Sequence, residues 1–346
     1  MHQIIVNRFG GPEVLAWQEL DTPEPGPLQV RVRLTSIGMN HADLMGRRGE
    51  YKASTGDPPY VPGIEGGGVI EAVGPGVDGD RIGQRVSLGP DVPRAAHGPH
   101  GGTYRSHILV EQDTALTVPD AIPDEQLGTL WLSYLTAWGC LAWKDKLPPG
   151  SFVGIPAASS SVGLAAAQVV KRLGSTAIGL TSSPDKADAI LALASHGFDH
   201  LITTHETGPD GTRSLRPWHR EIKKLTDGHG VDVFFDPVAS GHYLSTEVRC
   251  LAPQGRIYIY GLLGDPGPVD LSPLIIRQGS LHGWVLYEIV QAGIDAWGPA
   301  CHAILSGFEE GDFRQAIAGR HALRDAATAH AAMECAKHVG KWVLIP

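Results

Sequence analysis

The chain has 346 residues, enough for two domains with cores of their own, and its 42% hydrophobic and 19% charged content fits a folded globular protein. A formal net charge of −9 argues against a nucleic-acid or anionic-membrane partner. The four cysteines, Cys140, Cys250, Cys301 and Cys335, are widely spaced and form no C-x-x-C pair, so neither a zinc knuckle nor a disulfide framework is expected. No run approaches the ~20 apolar residues of a membrane span, and no secretory leader is read at residues 1–6. A reducing cytoplasm is the expected compartment.

The first third reads as strands and turns. Val30-Arg31-Val32-Arg33-Leu34 is apolar at every second position, as a half-buried strand is. Residues 68–74 and 83–88 look similar, and Pro25-Gly26-Pro27 and Pro75-Gly76 punctuate them. These segments predict a small twisted β-barrel.

The middle changes character. Ser151-Phe152-Val153-Gly154-Ile155-Pro156-Ala157 is a short apolar run that predicts a buried strand. Ala158-Ser159-Ser160-Ser161-Val162-Gly163 follows, and then Leu164, Ala167, Val170 and Leu173 share one side of a helix. Further strands are expected at 177–180, 231–235, 256–260, 280–285 and 341–345, with helices at 186–196 and 289–308. Strands alternating with helices predict a doubly wound parallel sheet.

The turn after the first of these strands is the cofactor signal. A pyrophosphate needs small residues there, so that backbone N–H groups at a helix start can approach it. The G-x-G-x-x-G frame becomes Ala158-x-Ser160-x-x-Gly163, in which Ser160 also has an ordinary use as a helix cap. The tip of the next strand reads Thr181-Ser182-Ser183-Pro184-Asp185-Lys186. An NAD enzyme usually places a carboxylate there for the ribose 2′-OH. Hydroxyls and a lysine suit a 2′-phosphate instead, which predicts NADPH. Asp185 is expected to cap the following helix. Ser182 as a cap and Lys186 as a solvated charge are the competing readings.

Several motifs carry a resemblance over nearly the whole chain. They are Ile37-Gly38-Met39-Asn40-His41-Ala42-Asp43, Pro62-Gly63-Ile64-Glu65-Gly66, Gly101-Gly102-Thr103-Tyr104, Leu135-Thr136-Ala137-Trp138 and Phe235-Asp236-Pro237-Val238. In this order the chain resembles the medium-chain dehydrogenase/reductase superfamily. The resemblance implies an α/β protein. A GroES-like β-barrel catalytic domain would take residues 1–122 and 287–346, and a Rossmann doubly wound parallel sheet residues 123–286. Zinc alcohol dehydrogenases of the superfamily have Cys, His and Cys where Asn40, Ile64 and Leu132 fall here. None of these three suits zinc, so no metal is expected. The resemblance is to the zinc-free quinone oxidoreductase, or zeta-crystallin-like, branch.

That branch implies NADPH-dependent hydride transfer to a quinone or an α,β-unsaturated carbonyl. The implied cofactor contacts are Asn40, Thr136, Ser160, Ser161, Val162, Gly163, Thr181, Ser182, Lys186, Tyr260, Gly261 and Leu262. The implied catalytic candidates are Asn40, Tyr51, Asp43 and His41. Asn40 would orient the nicotinamide or the substrate oxygen, and Tyr51 would donate to the acceptor carbonyl. Asp43 would act directly or from behind, and His41 would serve as a proton source. Glu65 is expected in a buried structural pair, and His97 and His100 in a solvated loop. Two other functions fit the same pattern. One is an enoyl-thioester reductase, hinted at by Arg47-Arg48; the other is a non-catalytic NADPH-binding, crystallin-like protein. The apolar segment at 280–285 falls where relatives have an edge strand and implies a homodimer.

Overall fold

A computed structural model describes residues 1–51, 55–90, 101–208, 210, 212–265, 267–335 and 337–346. In chain order its strands are β1 (His2–Val6), β2 (Leu15–Glu19), β3 (Gln29–Gly38), β4 (Gly67–Val73), β5 (Arg85–Leu88), β6 (His107–Glu111), β7 (Ala115–Thr117), β8 (Phe152–Pro156), β9 (Thr176–Thr181), β10 (His200–Thr203), β11 (His205–Thr207), β12 (Arg213–Leu215), β13 (Val231–Asp236), β14 (Leu251–Ile259), β15 (Ser280–Gly283), β16 (Ile317–Ala322) and β17 (Lys341–Ile345). The helices that matter below are α1 (His41–Arg48), α2 (Trp131–Trp138), α3 (Ser161–Arg172), α4 (Pro184–Leu191), α5 (His219–Leu225), α6 (Gly241–Cys250), α7 (Ser272–Arg277), α8 (Tyr287–Gln291), α9 (Ile294–Glu309) and α10 (Ala326–Glu334).

One compact unit comprises residues 1–132, 305–311 and 315–346. Its sheet runs β16–β17–β3–β4–β5–β7, with β6 also on β3. Along β3 the residues Val30, Val32 and Leu34 are buried, while Arg31 and Arg33 point to the wetter side. This is the alternation read in the sequence. With Ile70, Val86, Ile108 and Val110 they build the core, each buried Val, Leu or Ile contributing about 1.5–3 kcal/mol. Irregular register between β3 and β4 curls the sheet. The end of β3 is held at two points: Gly38 N–H donates to Gly128 O (2.8 Å) and Met39 N–H to Trp342 O (3.0 Å). These bonds deliver Asn40 and the start of α1 against β17.

The other unit comprises residues 133–304 and 312–314. Its sheet has the order β10–β9–β8–β13–β14–β15, parallel throughout. β8 is buried at every position from Val153 to Pro156, as a strand covered on both faces must be. The order reverses between β8 and β13, and ligands of doubly wound sheets bind outside the carboxyl ends of the strands at that point.

Several local expectations shift. The helix expected at 186–196 is α4, which ends at Leu191. Ahead lies Gly197 at φ +77, whose Cα passes so close to α3 that a Cβ would meet Gln168 N at 2.7 Å. The single helix expected at 289–308 is broken by Gly293 (φ +92) into α8 and α9. Segment 287–304, expected with the barrel, clusters with the Rossmann unit, where Glu288 pairs with Lys144 and Trp284 and Ile289 pack against Gly139. Segment 123–132 clusters instead with the barrel, because Leu127 and Gly128 lie against Gly67 and Ser36. None of the helices among the described residues is long and apolar enough to cross a membrane. The four cysteines are unpaired, three of them buried.

Candidate functional site

In the barrel unit, Asn40 is the N-cap of α1, and its backbone N–H donates to Asp43 Oδ2 at 2.8 Å. The Asn40 side chain is fully engaged. Nδ2 donates to Gly38 O (3.2 Å) and to Glu65 Oε1 (3.0 Å), and Oδ1 accepts from Lys341 Nζ (2.5 Å). Lys341 also forms an ion pair with Glu65, whose second oxygen accepts from Leu132 N–H at 3.1 Å. Asn40, Glu65 and Lys341 are only 3%, 2% and 1% exposed. Gly38 must be glycine here, since a Cβ would lie 2.5 Å from Glu65 Oε1. Glu65 is thus in the buried pair expected of it. Its partner Lys341 lacks any local signal, because it lies at the far end of the chain and heads an otherwise apolar strand.

These residues do not fit a zinc ion. The three positions offer one amide oxygen, already held by an ammonium, and two hydrocarbon side chains. Among the described residues there is no group of three or more His, Cys, Asp or Glu that could hold a metal.

Behind Asn40 the network continues inward. Burial pushes the Asp43 carboxyl up to about 7, against the Asn40 N–H and the Lys341 charge, which pull it down. Tyr104 Oη lies 3.5 Å from Asp43 Oδ2 and 3.0 Å from His330 Nε2. Burial, with help from the Arg47 charge, lowers His330 to about 3, so this imidazole is neutral. Among the described residues neither His41 nor the Tyr51 hydroxyl joins the network. His41 is half-buried, and its pKa is lowered first by that burial and then by Arg48. Tyr51 lies just past the left-handed Gly49 that ends α1. Arg47 is interior and ion-paired with Glu334, and Arg48 pairs with Glu50 (2.8 Å) and Glu334 (3.2 Å). His97 and His100 lie outside the described residues.

In the Rossmann unit, a cavity of about 460 Å³ opens at the carboxyl ends of β8, β9, β10 and β13. Its wall includes Ser159, Thr181, Ser182, Lys186, His205 and His242, and no carboxylate among the described residues. Ser183, not Asp185 or Ser182, caps α4, its Oγ accepting from Lys186 N–H at 3.3 Å. The expectation for Asp185 is corrected: it sits inside the first turn, where its charge favours the helix N-terminus. Ser182 is thereby left on the cavity wall. Ser160 caps α3 by accepting from Gly163 N–H at 3.0 Å, and Ser161 and Val162 open that helix. Gly163 is required, because a Cβ would meet Ala157 O at 2.7 Å. Thr136, Tyr260, Gly261 and Leu262 lie off this wall, although Leu263 is on it. Tyr260 stacks on Phe235 at 4.0 Å, and the Thr136 carbonyl accepts from Trp284 Nε1 at 2.9 Å. His205 and His242, which face the same cavity as Lys186, carry no motif that marks them in the sequence.

One unit built on a barrel-like sheet and another built on a doubly wound parallel sheet define the dehydrogenase class. The family described as alcohol dehydrogenase GroES-like domain matches residues 26–120, and that described as zinc-binding dehydrogenase matches residues 161–300. A quinone oxidoreductase of Pseudomonas aeruginosa is 32% identical, over 98% of this chain and 97% of its own. A 2-haloacrylate reductase of Burkholderia is 31% identical, over 99% and 98%. Among solved structures, an NAD-dependent alcohol dehydrogenase superposes with TM-score 0.85 at 29% identity over the whole of both chains. Escherichia coli quinone oxidoreductase complexed with NADPH gives TM-score 0.83 at 26% identity, again over the whole of both. The chain belongs to the quinone oxidoreductase branch of the medium-chain dehydrogenase/reductase superfamily, and it is an oxidoreductase.

Proposed function

We propose that this protein is a zinc-independent, NADPH-dependent reductase that transfers hydride to a quinone or to a carbon–carbon double bond activated by a carbonyl. One observation carries the proposal: Asn40, Ile64 and Leu132 stand where zinc relatives have ligands, and the Asn40 amide is already engaged by Lys341 and Glu65, so alcohol chemistry at a metal has no support. The quinone and haloacrylate named for the relatives are both electron-poor acceptors, which agrees with this substrate class.

NADPH supplies the hydride when bound. Ser182 and Lys186, with His205 beside them, would hold its 2′-phosphate, and the start of α3 at Ser160, Ser161, Val162 and Gly163 its pyrophosphate. Thr136, Tyr260, Gly261 and Leu262 remain our assignment for the nicotinamide side. Charge builds on the acceptor oxygen as hydride arrives, and donors fixed in a dry site stabilise it. Tyr51 is the donor we assign to that oxygen, Asn40 is held from behind by Asp43, which accepts from its N–H, and His41 stands as a proton source. The enoyl-thioester reading loses its motivation, since Arg47 is buried and Arg48 is ion-paired. Unpaired cysteines agree with a reducing cytoplasm as the compartment.

Turnover of NADPH with a quinone panel and an enone panel tests the reaction, and titration of both nicotinamides tests the cofactor. A charge-assisted hydrogen bond contributes ~1.5–3 kcal/mol, so Lys186→Ala should weaken NADPH by roughly 10–150-fold and leave NADH almost unchanged. Equal affinities of the wild type for NADPH and NADH would overturn the cofactor assignment.

A further inference from the structure

We propose that His205 and His242 take the 2′-phosphate of NADPH from two sides of the Rossmann-unit cavity, and that this pair makes the preference for NADPH over NADH strengthen as pH falls. The proposal rests on the NADPH reading given above.

Each ring is delivered by its own piece of backbone. Where β10 ends beside β9, Thr204 N–H donates to Thr181 O at 2.8 Å. The Thr204 hydroxyl gives its one hydrogen to the same carbonyl at 3.1 Å, and its oxygen lies 2.9 Å from His205 Nδ1. Nδ1 is therefore the protonated nitrogen, donating to Thr204 Oγ1. This ring gains a second donor only when Nε2 takes up a proton. His242 comes from the far side of β9 and β8, after β13. There the Asp236 carboxylate accepts from Val238 N–H (2.6 Å) and Ala239 N–H (2.9 Å) and holds Ala239 in the left-handed region at φ +49. Gly241 must be glycine, since a Cβ would meet Pro268 O at 2.6 Å. This turn starts α6 and sets the exposed His242 on the cavity wall.

The rings share the wall with Lys186 from α4 and with Tyr243, which burial, with Glu247 and Asp236 behind it, keeps neutral. Among the described residues no carboxylate joins them. The Arg216 guanidinium, after β12, is engaged by Thr203 O (2.9 Å) and Glu221 (2.7 Å). Asp236, raised to about 6 by burial, lies off the wall. Three basic side chains and the Ser182 hydroxyl on one cavity match a phosphate better than a sugar hydroxyl. Histidine is the side chain whose charge changes between about pH 5 and 8, whereas a lysine ammonium keeps its charge there. A phosphate monoester loses its second proton near pH ~6. From about pH 8 down to about 6.5 the phosphate thus remains largely a dianion while imidazoles gain protons. Binding the dianion favours the protonated rings, so NADPH affinity rises as pH falls through this window. NADH has no 2′-phosphate and stands outside this linkage.

Calorimetric titration of the full-length protein with NADPH and with NADH, at pH ~6.5 and ~8 and in buffers of different ionisation enthalpy, tests this. The ratio of the NADH Kd to the NADPH Kd should be roughly 5–50-fold larger at the lower pH. NADPH binding should also take up protons that NADH binding does not. His242→Asn, at an exposed position, should lose part of the pH dependence, and His205→Gln/His242→Asn all of it, with Asp236 still in place. A preference for NADPH of equal size at both pH values, or a pH dependence undiminished in either variant, would overturn the proposal and leave NADPH as the cofactor. Equal affinities for the two nicotinamides at both pH values would sink the cofactor reading, and this proposal with it.

Discussion

Asp43 shows how a single residue sets a pH dependence. Its carboxyl is raised from 3.8 to about 7, with burial as the main cause. A folded pKa above the unfolded one means that the native state holds the proton more tightly. The stability tied to this group is therefore complete below the ordinary carboxyl range and is lost as pH rises through about 7. Asp43→Asn keeps an oxygen for the Asn40 N–H and cannot ionise. Its advantage over wild type should grow from pH ~4.5 to pH ~8, toward on the order of 4 kcal/mol as an upper bound. Urea unfolding across that range checks this, and parallel curves would contradict it. At this scale the sequence was readable where a residue's role is local. Asn40 before a helix and Ser182 and Lys186 at a strand tip can be placed from their neighbours, and they lie at the N-cap of α1 and on one cavity wall. Lys341, Tyr104 and His330 do not, because each acquires its role from a partner far along the chain, such as His330 Nε2 at 3.0 Å from Tyr104 Oη.

Elements were legible where periodicity is strong. The alternation in β3 and the apolar run of β8 fall where the pattern places them. Boundaries failed where one residue decides: Ser183 takes the cap expected of Asp185, and Gly293 breaks a helix whose apolar pattern runs on. Helix α6 holds a feature that no pattern reveals. Glu247 is fully buried, and neither carboxylate oxygen has a hydrogen-bond partner among the described residues. Burial, reinforced by Asp236, raises its pKa well above the ordinary glutamate value. As with Asp43, the sign makes wild-type stability fall with rising pH. Glu247→Met fills the space without a polar group, so it should stabilise the protein by about 1–3 kcal/mol at pH ~8 and by less at pH ~4.5. Thermal denaturation at the two pH values measures it. A variant less stable than wild type at the higher pH would contradict the assignment of Glu247 as an uncompensated acid.

For the whole molecule, the two-part α/β architecture was legible because an alternating barrel pattern gives way to strand–helix alternation. The exact division was not. Segments 123–132 and 287–304 join their units through packing around Gly67 and Gly139, which local sequence does not encode. An expectation about assembly rests on the same sheet. β15 is its edge strand, and nearby in sequence Ile275 and Ile276 on α7 are 81% and 86% exposed, with Val285 and Ile294 also exposed. A strand with no further neighbour among the described residues, and exposed isoleucines near it in sequence, favour a symmetric partner. We expect a homodimer by light scattering at micromolar concentration, and Ile275→Asp/Ile276→Asp should shift it toward monomer. A monomeric wild type would contradict this.

The central claim is hydride transfer from NADPH to an electron-poor acceptor without a metal. Its most direct test is mass spectrometry of the product formed by chelator-treated enzyme from an enone and NADPH deuterated at the transferring carbon of the nicotinamide. The account predicts one deuterium, on the carbon β to the carbonyl, at a rate the chelator does not change. Deuterium on the carbonyl carbon, giving an allylic alcohol, or turnover abolished by the chelator and restored by zinc, would contradict it.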